Sequence, residues 1–380
     1  MSSEMILTNA RIVTREEVVE GSLVVRDGQI AELAAGASRA AGAVDLEGDW
    51  LLPGLVELHT DNLERQFQPR PGVRWPADAA MLQHDGQIAG SGITTVCDAV
   101  CVGFYGGKRE RLELLRLSLD VLHRARAAAA LKAEHLLHLR LEVSDPGCLE
   151  LFEPLMDEEG LAVVSFMDHT PGQRQWRDIE KYRTFHMGRT VTTEDQFAAM
   201  IERRVEEQKQ HFTANLARIL ELLEGHPAVR ASHDDTTPEH VADARAMGAT
   251  ISEFPTTLEA ARAAREAGMS IVMGGPNLVL GGSHSGNVSA GELAREGLLD
   301  VMSSDYVPAS MLQAAFKLAR EFGMAMPEAI APVTRHPAEL LGMADRGIIE
   351  AGRRADLVRV REIGETPHVG AVWRAGRRIA

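Results

Sequence analysis

A chain of 380 residues, 45% hydrophobic and 25% charged, is long enough for one large barrel plus an accessory unit and has the composition of a globular protein with a full core. Its 55 acidic residues against 40 basic leave a formal charge of -15, which disfavours nucleic acid and anionic lipid as partners, and aromatics at 4% argue against a base-stacking platform. Three scattered cysteines, no signal-peptide pattern at the start and no apolar run near the ~20 residues of a membrane span lead us to expect a cytoplasmic protein without disulfides or membrane contact.

Taken in order, residues 5–13 and 21–30 are β-rich, with Asp27-Gly28 as a hairpin turn. The far end has the same texture over 355–360 and 369–373, followed by a turn at Ala375-Gly376. This predicts a small β-sandwich domain built from both ends, residues 1–52 and 346–380. Between them, 53–345 alternates strand-like and helical runs, the pattern of a parallel sheet with crossover helices. Strands are expected at 55–58, 94–98, 136–142, 162–167, 229–232, 249–253, 270–273 and 300–303, and helices over 108–135 and 193–223, with the alanines at 127–130 as helix filler. Eight strands predict an α/β fold of the (β/α)₈, TIM-like class; an open doubly wound sheet is the alternative.

The ends of these strands carry the chemistry. The first closes in His59-Thr60-Asp61; if 55–58 is a strand, His59 and Asp61 share a side. Glu142 ends the third, Asp168-His169 follows the fourth, His233-Asp234-Asp235 the fifth, and Asp305 the eighth. Singly each has a structural reading: His169 as a turn cap, Asp305 as a helix cap, Glu142 as a strand-end charge. Jointly, imidazoles and carboxylates at one end of a barrel suit zinc-like ions better than calcium or magnesium. His59, Asp61, Glu142, His169, His233 and Asp305 exceed one tetrahedral set, so two divalent ions are expected, zinc first, manganese or iron as alternatives. Glu142 is the candidate bridge, Asp305 the candidate proton acceptor from an activated water, and Asp98, Asp234 and Asp235 candidate orienting groups. Cys97 and Cys101 are read as small core residues flanking a strand end, with metal ligation as the alternative.

The entry sequence Leu52-Pro53-Gly54-Leu55-Val56-Glu57-Leu58-His59 and the closing Gly347-Ile348-Ile349-Glu350-Ala351-Gly352-Arg353-Arg354-Ala355-Asp356-Leu357-Val358 resemble those of the amidohydrolase superfamily. Two departures stand out: Asp61 replaces the second entry histidine, and no strand-end lysine is available as a carbamylated bridge. With the segments 59–62, 69–76, 167–175, 231–235, 253–257, 281–288 and 303–306, the chain is similar to the superfamily's phosphonate-utilisation branch. That resemblance implies a phosphorylated ribose substrate, α-D-ribose 1-methylphosphonate 5-triphosphate, cleaved to the 5-phosphate and pyrophosphate. The alternatives are a hydrolase of C–N bonds (deacetylase, cyclic amidase or deaminase) and a non-catalytic scaffold.

A triphosphate needs donors and cations. The glycine-rich segments 274–277 and 281–287 offer backbone N–H groups, though a flexible turn explains them equally well; neither is a Walker A loop. From these and the flanking cations the candidate substrate contacts are Asn62, Arg70, Arg174, Lys181, Asn277, Ser283 and His284. Residues 171–189, with Trp176, Tyr182 and Phe185, are expected to form a lid or an oligomer contact, and a homo-oligomer is expected.

Overall fold

The structure, a computed structural model, describes residues 4–70, 72–103, 109–187, 193–283 and 286–380. Eight parallel strands in sequential order form one sheet: β1 (Leu55–Thr60), β2 (Ile93–Val102), β3 (Glu134–Glu142), β4 (Leu161–Met167), β5 (Val229–His233), β6 (Ile251–Glu253), β7 (Ser270–Gly274) and β8 (Val301–Ser303). Every expected strand is present. Seven of them each place one small or branched residue inside: Leu58, Cys97, Val163, Ala231, Ile251, Val272 and Val301 pack as one cluster. The barrel floor is therefore a filled core, and only its C-terminal mouth is free for chemistry.

The seam between β8 and β1 is closed mostly at the mouth. A parallel bridge pairs Thr60 with Asp305; Asp61 N donates to Asp305 O at 2.7 Å, and Asp305 N to His59 O at 3.1 Å. Below it, the buried Glu57 carboxylate accepts from His59 N at 2.7 Å and Ser304 N at 2.6 Å. Burial pushes Glu57 up to about 7, against the bonds from Ser304 and His59 that favour its charge. A residue that interrupts an apolar strand thus links the two edges where the ladder is thin.

The terminal strands form a second, mixed sheet. Leu357–Ile363 lies antiparallel to Trp50–Pro53, which runs parallel to Glu4–Val13; the hairpins on either side bring the sheet to seven strands, and Val44–Asp45, parallel to Glu4–Val13, is the eighth. Both expected turns have left-handed pairs, Asp27 (φ 48°) with Gly28 (φ 81°) and Ala375 (φ 47°) with Gly376 (φ 73°), the geometry that matches strand twist. Gly54 carries the chain from this sheet into β1; a Cβ there would stand 2.3 Å from Thr94 Oγ1, so only glycine allows the approach.

Two helical expectations change. The helix read over 108–135 is Arg109–Ala127: Ala129 turns left-handed (φ 49°), and Glu134 and His135 already belong to β3. The alanine run therefore ends the helix, because a non-glycine αL residue breaks its ladder. The stretch after β4 is more ordered than a loop. A 3₁₀ turn at Arg174–Trp176 leads into a helix at Ile179–His186, capped by the Asp178 carboxylate. Tyr182 is fully buried against Phe197 and Met200, with Trp176 at 5.3 Å, so this segment is docked on the helix Glu194–Leu222. Among the described residues no helix is long and apolar enough to cross a membrane.

Candidate metal and active site

The mouth brings together two groups of ligand atoms. His59, Asp61 and Asp305 form one; His169, His233 and Asp234 form the other. In the first, β1 delivers His59, and Asp61 follows where the chain turns into the helix Asn62–Phe67; His59 Nε2 lies 3.7 Å from Asp61 Oδ1. In the second, Asp234 Oδ2 lies 3.6 Å from both His169 Nε2 and His233 Nε2. Asp234 (φ 56°), Phe254 (φ 56°) and Asp305 (φ 54°) are left-handed at the ends of β5, β6 and β8. Each still donates its N–H to a neighbouring strand, Asp234 to Glu253 O, Phe254 to Val272 O and Asp305 to His59 O. The ladder holds these residues in a conformation that costs about 1–3 kcal/mol for non-glycine, the kind of strain that accumulates at functional sites.

What orients the imidazoles is decided by two buried glutamates. Glu253, at the end of β6, accepts at 2.8 Å from both His59 Nδ1 and His233 Nδ1. Glu142 accepts from His169 Nδ1 at 2.7 Å and from His169 N at 2.9 Å. Three Nδ1–H groups are thereby engaged from behind, which leaves three Nε2 atoms directed toward Asp61 and Asp234. A histidine whose far nitrogen is held by a carboxylate is the usual arrangement at a metal, so these residues fit a pair of divalent ions. The expected Glu142 bridge is placed differently: it stands behind His169, outside the two ligand groups, and Asp234, expected only as an orienting group, stands inside one. Asp235 does orient, accepting from Ser232 Oγ, from Ser252 Oγ at 2.8 Å and from Arg174 Nη1 at 2.7 Å.

The local charge is strongly negative. Burial works to lower His59 and His169, but Glu253 and Asp61 raise the first to about 10, and Glu142 and Asp234 the second to about 9. Asp305 is pushed up, first by burial and then by Asp61. Next to His59, His138 is driven down to about 4 by burial, only partly offset by Glu253. It is a neutral imidazole that donates Nδ1–H to Leu58 O at 2.8 Å and accepts from Ser165 at 2.9 Å.

Above the ligands is a cavity of about 470 Å³ whose wall includes Phe254, Asn277, Ser283, Asn287, Tyr306 and Arg140. Asn277 and Ser283 stand where substrate contacts were expected. Asn62, Arg70, Arg174 and Lys181 do not line the cavity. Asn62 is buried, donating to His84 Nδ1 at 2.9 Å and Gln87 Oε1 at 3.0 Å. Arg70 is exposed in a turn with Val73. Arg174 is committed to His233 O and Asp235. Lys181 does not line the cavity; a Cβ on Gly286 would lie 2.8 Å from its Nζ. His284 lies outside the described residues. Arg140 was not anticipated, although a signal existed: along His138-Leu139-Arg140-Leu141-Glu142 the polar residues alternate, which puts Arg140 and His138 on the same face as Glu142.

Another polar group lies behind the barrel wall. Asp98 accepts from His84 Nε2 at 2.6 Å and His135 Nδ1 at 2.7 Å, and His135 Nε2 donates to Asp85 at 3.1 Å. With both imidazole nitrogens of each residue engaged, this is a closed hydrogen-bond network reaching Asn62. His135 donates twice to carboxylates and is an imidazolium; burial opposes this, but Asp98 and Asp85 raise it to about 9. Its folded value lies above the ordinary 6.5, so its stabilisation is complete below about pH 6.5 and lost as pH rises through 9. His135→Gln is expected to cost about 3 kcal/mol at pH 6, since it strands a buried carboxylate. The gap in thermal midpoint between wild type and variant should narrow between pH 7 and 9.5; a constant gap would show His135 to be neutral in the fold.

Three comparisons bear on this site. A family model described as the amidohydrolase family matches residues 189–380. Over 377 residues the chain is 46% identical to alpha-D-ribose 1-methylphosphonate 5-triphosphate diphosphatase of Escherichia coli (strain K12), covering 99% of this chain and 100% of that one. Among solved structures, N-acetyl-D-glucosamine-6-phosphate deacetylase from Mycobacterium smegmatis superposes with a TM-score of 0.66 at 17% identity, covering 100% of both chains. The corresponding Pasteurella multocida deacetylase gives 0.64 at 13% identity, over 99% of each.

Proposed function

The chain belongs to the amidohydrolase family, and from that membership we propose a hydrolase that cleaves the triphosphate of α-D-ribose 1-methylphosphonate 5-triphosphate to the 5-phosphate and pyrophosphate. The observation that carries this reading is the identity to the Escherichia coli diphosphatase, which runs the full length of both chains. Two divalent ions, zinc first, are assigned to His59, Asp61 and Asp305 and to His169, His233 and Asp234. When bound, such ions would lower the pKa of a water and take up charge on phosphoryl oxygens.

The chain's own residues do the rest. Glu253 and Glu142 hold the three imidazoles with Nε2 forward. Asp305, fixed by backbone bonds across the seam, would accept a proton from the attacking water. Asn277, Ser283, Asn287 and Tyr306 line the space left for the substrate. The short helix Gly275–Leu280 is held by Asn277, whose side chain accepts from Ala290 N at 2.9 Å. The glycine-rich segment therefore begins as an ordered wall of the cavity.

Incubating zinc-loaded protein with the ribosyl triphosphate and following products by phosphorus NMR tests this directly. Pyrophosphate and the 5-phosphate should appear together. Release of an amine or carboxylate from amide substrates, with the triphosphate untouched, would favour a C–N hydrolase. Protein that binds no metal and turns over neither would be a scaffold.

A further inference from the structure

Among the described residues that line the cavity, Arg140 is the sole lysine or arginine. It reaches the mouth from inside the barrel, on β3, not from the loops where phosphate-binding arginines were expected. Its side chain is 16% exposed, its Nη1 donates to Asp61 Oδ1 at 2.6 Å, and its Nε is buried with no hydrogen-bond partner. A guanidinium has five N–H donors in a rigid fork, and a buried orphan among them costs free energy unless an acceptor arrives. Asp61 answers one side of the fork; the other donors belong to a group that forms part of the cavity wall.

We propose that Arg140 is the phosphate-recognition residue of this site, donating to oxygens of the substrate's phosphoryl chain from the wall beside Asp61. The proposal rests on the functional reading above and makes it more specific. Opposite a neutral amide, the guanidinium keeps only its bond to Asp61, itself assigned to a cation site, and no anion answers its remaining donors. Opposite a polyanion, the same arrangement gives charge-assisted, bidentate bonds. Arg140 thus selects the substrate class: it favours a phosphoryl chain and disfavours an uncharged acyl group. Arg70, Arg174 and Lys181, the cations expected to hold phosphate, do not line the cavity and leave this role open.

The competing role is purely positional, with Arg140 only holding Asp61 in place for the metal. The test compares zinc-loaded wild type with Arg140→Gln and Arg140→Lys. Binding of inorganic phosphate and of imidazole, an uncharged metal-directed ligand, is followed by calorimetry, and zinc content is measured alongside. Arg140→Gln should keep its zinc and its imidazole affinity yet bind phosphate about 10- to 100-fold more weakly, with Arg140→Lys intermediate. Equal phosphate affinity in wild type and Arg140→Gln would overturn the proposal. So would loss of zinc from both variants, which would make Arg140 a support for Asp61. Wild type that leaves the ribosyl triphosphate intact would instead sink the functional reading, so the two failures are distinguishable.

Discussion

Asp305→Asn is expected to lower turnover of the ribosyl triphosphate by about 100- to 10,000-fold, the usual worth of a positioned general base, while the protein stays folded. The backbone of Asp305 does structural work: its N–H and C=O cross the seam to His59 and Asp61. An asparagine keeps both bonds and, among non-glycine residues, tolerates the left-handed φ of 54° well. What changes is the carboxylate. Asp61 is tied to Arg140, and Asp234 faces two imidazoles, so Asp305 is the wall carboxylate best placed to take a proton from an attacking water. The measurement is the initial rate of pyrophosphate release beside the thermal midpoint and zinc content. Near-normal turnover in folded, metal-loaded variant would remove Asp305 from this role.

Glu253→Gln is expected to weaken metal binding about 100-fold or more, since outer-sphere partners are each worth about 10- to 100-fold and this one serves two histidines. Glu253 accepts from His59 Nδ1 and His233 Nδ1 at once. A glutamine has a single acceptor oxygen, and its NH₂ would confront the second Nδ1–H. That histidine must then move its proton to Nε2, on the side of Asp61 or Asp234, or turn away. Glu142→Gln, which touches only His169, should cost less. Chelator competition gives the affinities, and excess zinc should restore part of the activity of Glu253→Gln. Equal affinity in Glu253→Gln and wild type would mean that the imidazoles are oriented by something else.

How much of this was readable beforehand follows a physical division. Strand periodicity is local, so all eight barrel strands and both hairpin turns were legible from residue order, as were the histidines and Asp61 and Asp305 at the strand ends. Alternation also reaches Arg140 and His138, because inward-facing residues on β3 share parity with Glu142; that signal was present in the sequence and went unread. Helix ends were less legible: nothing local in an alanine run says that Ala129 turns left-handed before β3.

The assignment of roles among the acidic residues was not local at all. Glu253 lies 194 residues from His59 in the chain, yet accepts its Nδ1 proton. Glu142 and Asp234 are both strand-end carboxylates, and only the pairing of β3 with β4 and of β4 with β5 puts one behind a histidine and the other between two. Arg174 looked free for phosphate until the fold aimed it at Asp235. Residue chemistry and spacing by themselves determined that this chain makes a barrel with imidazoles and carboxylates gathered at one end. Which nitrogen faces forward, which carboxylate stands behind it and which cation reaches the cavity were decided by contacts between distant segments, since hydrogen-bond direction depends on where the partner lies in space.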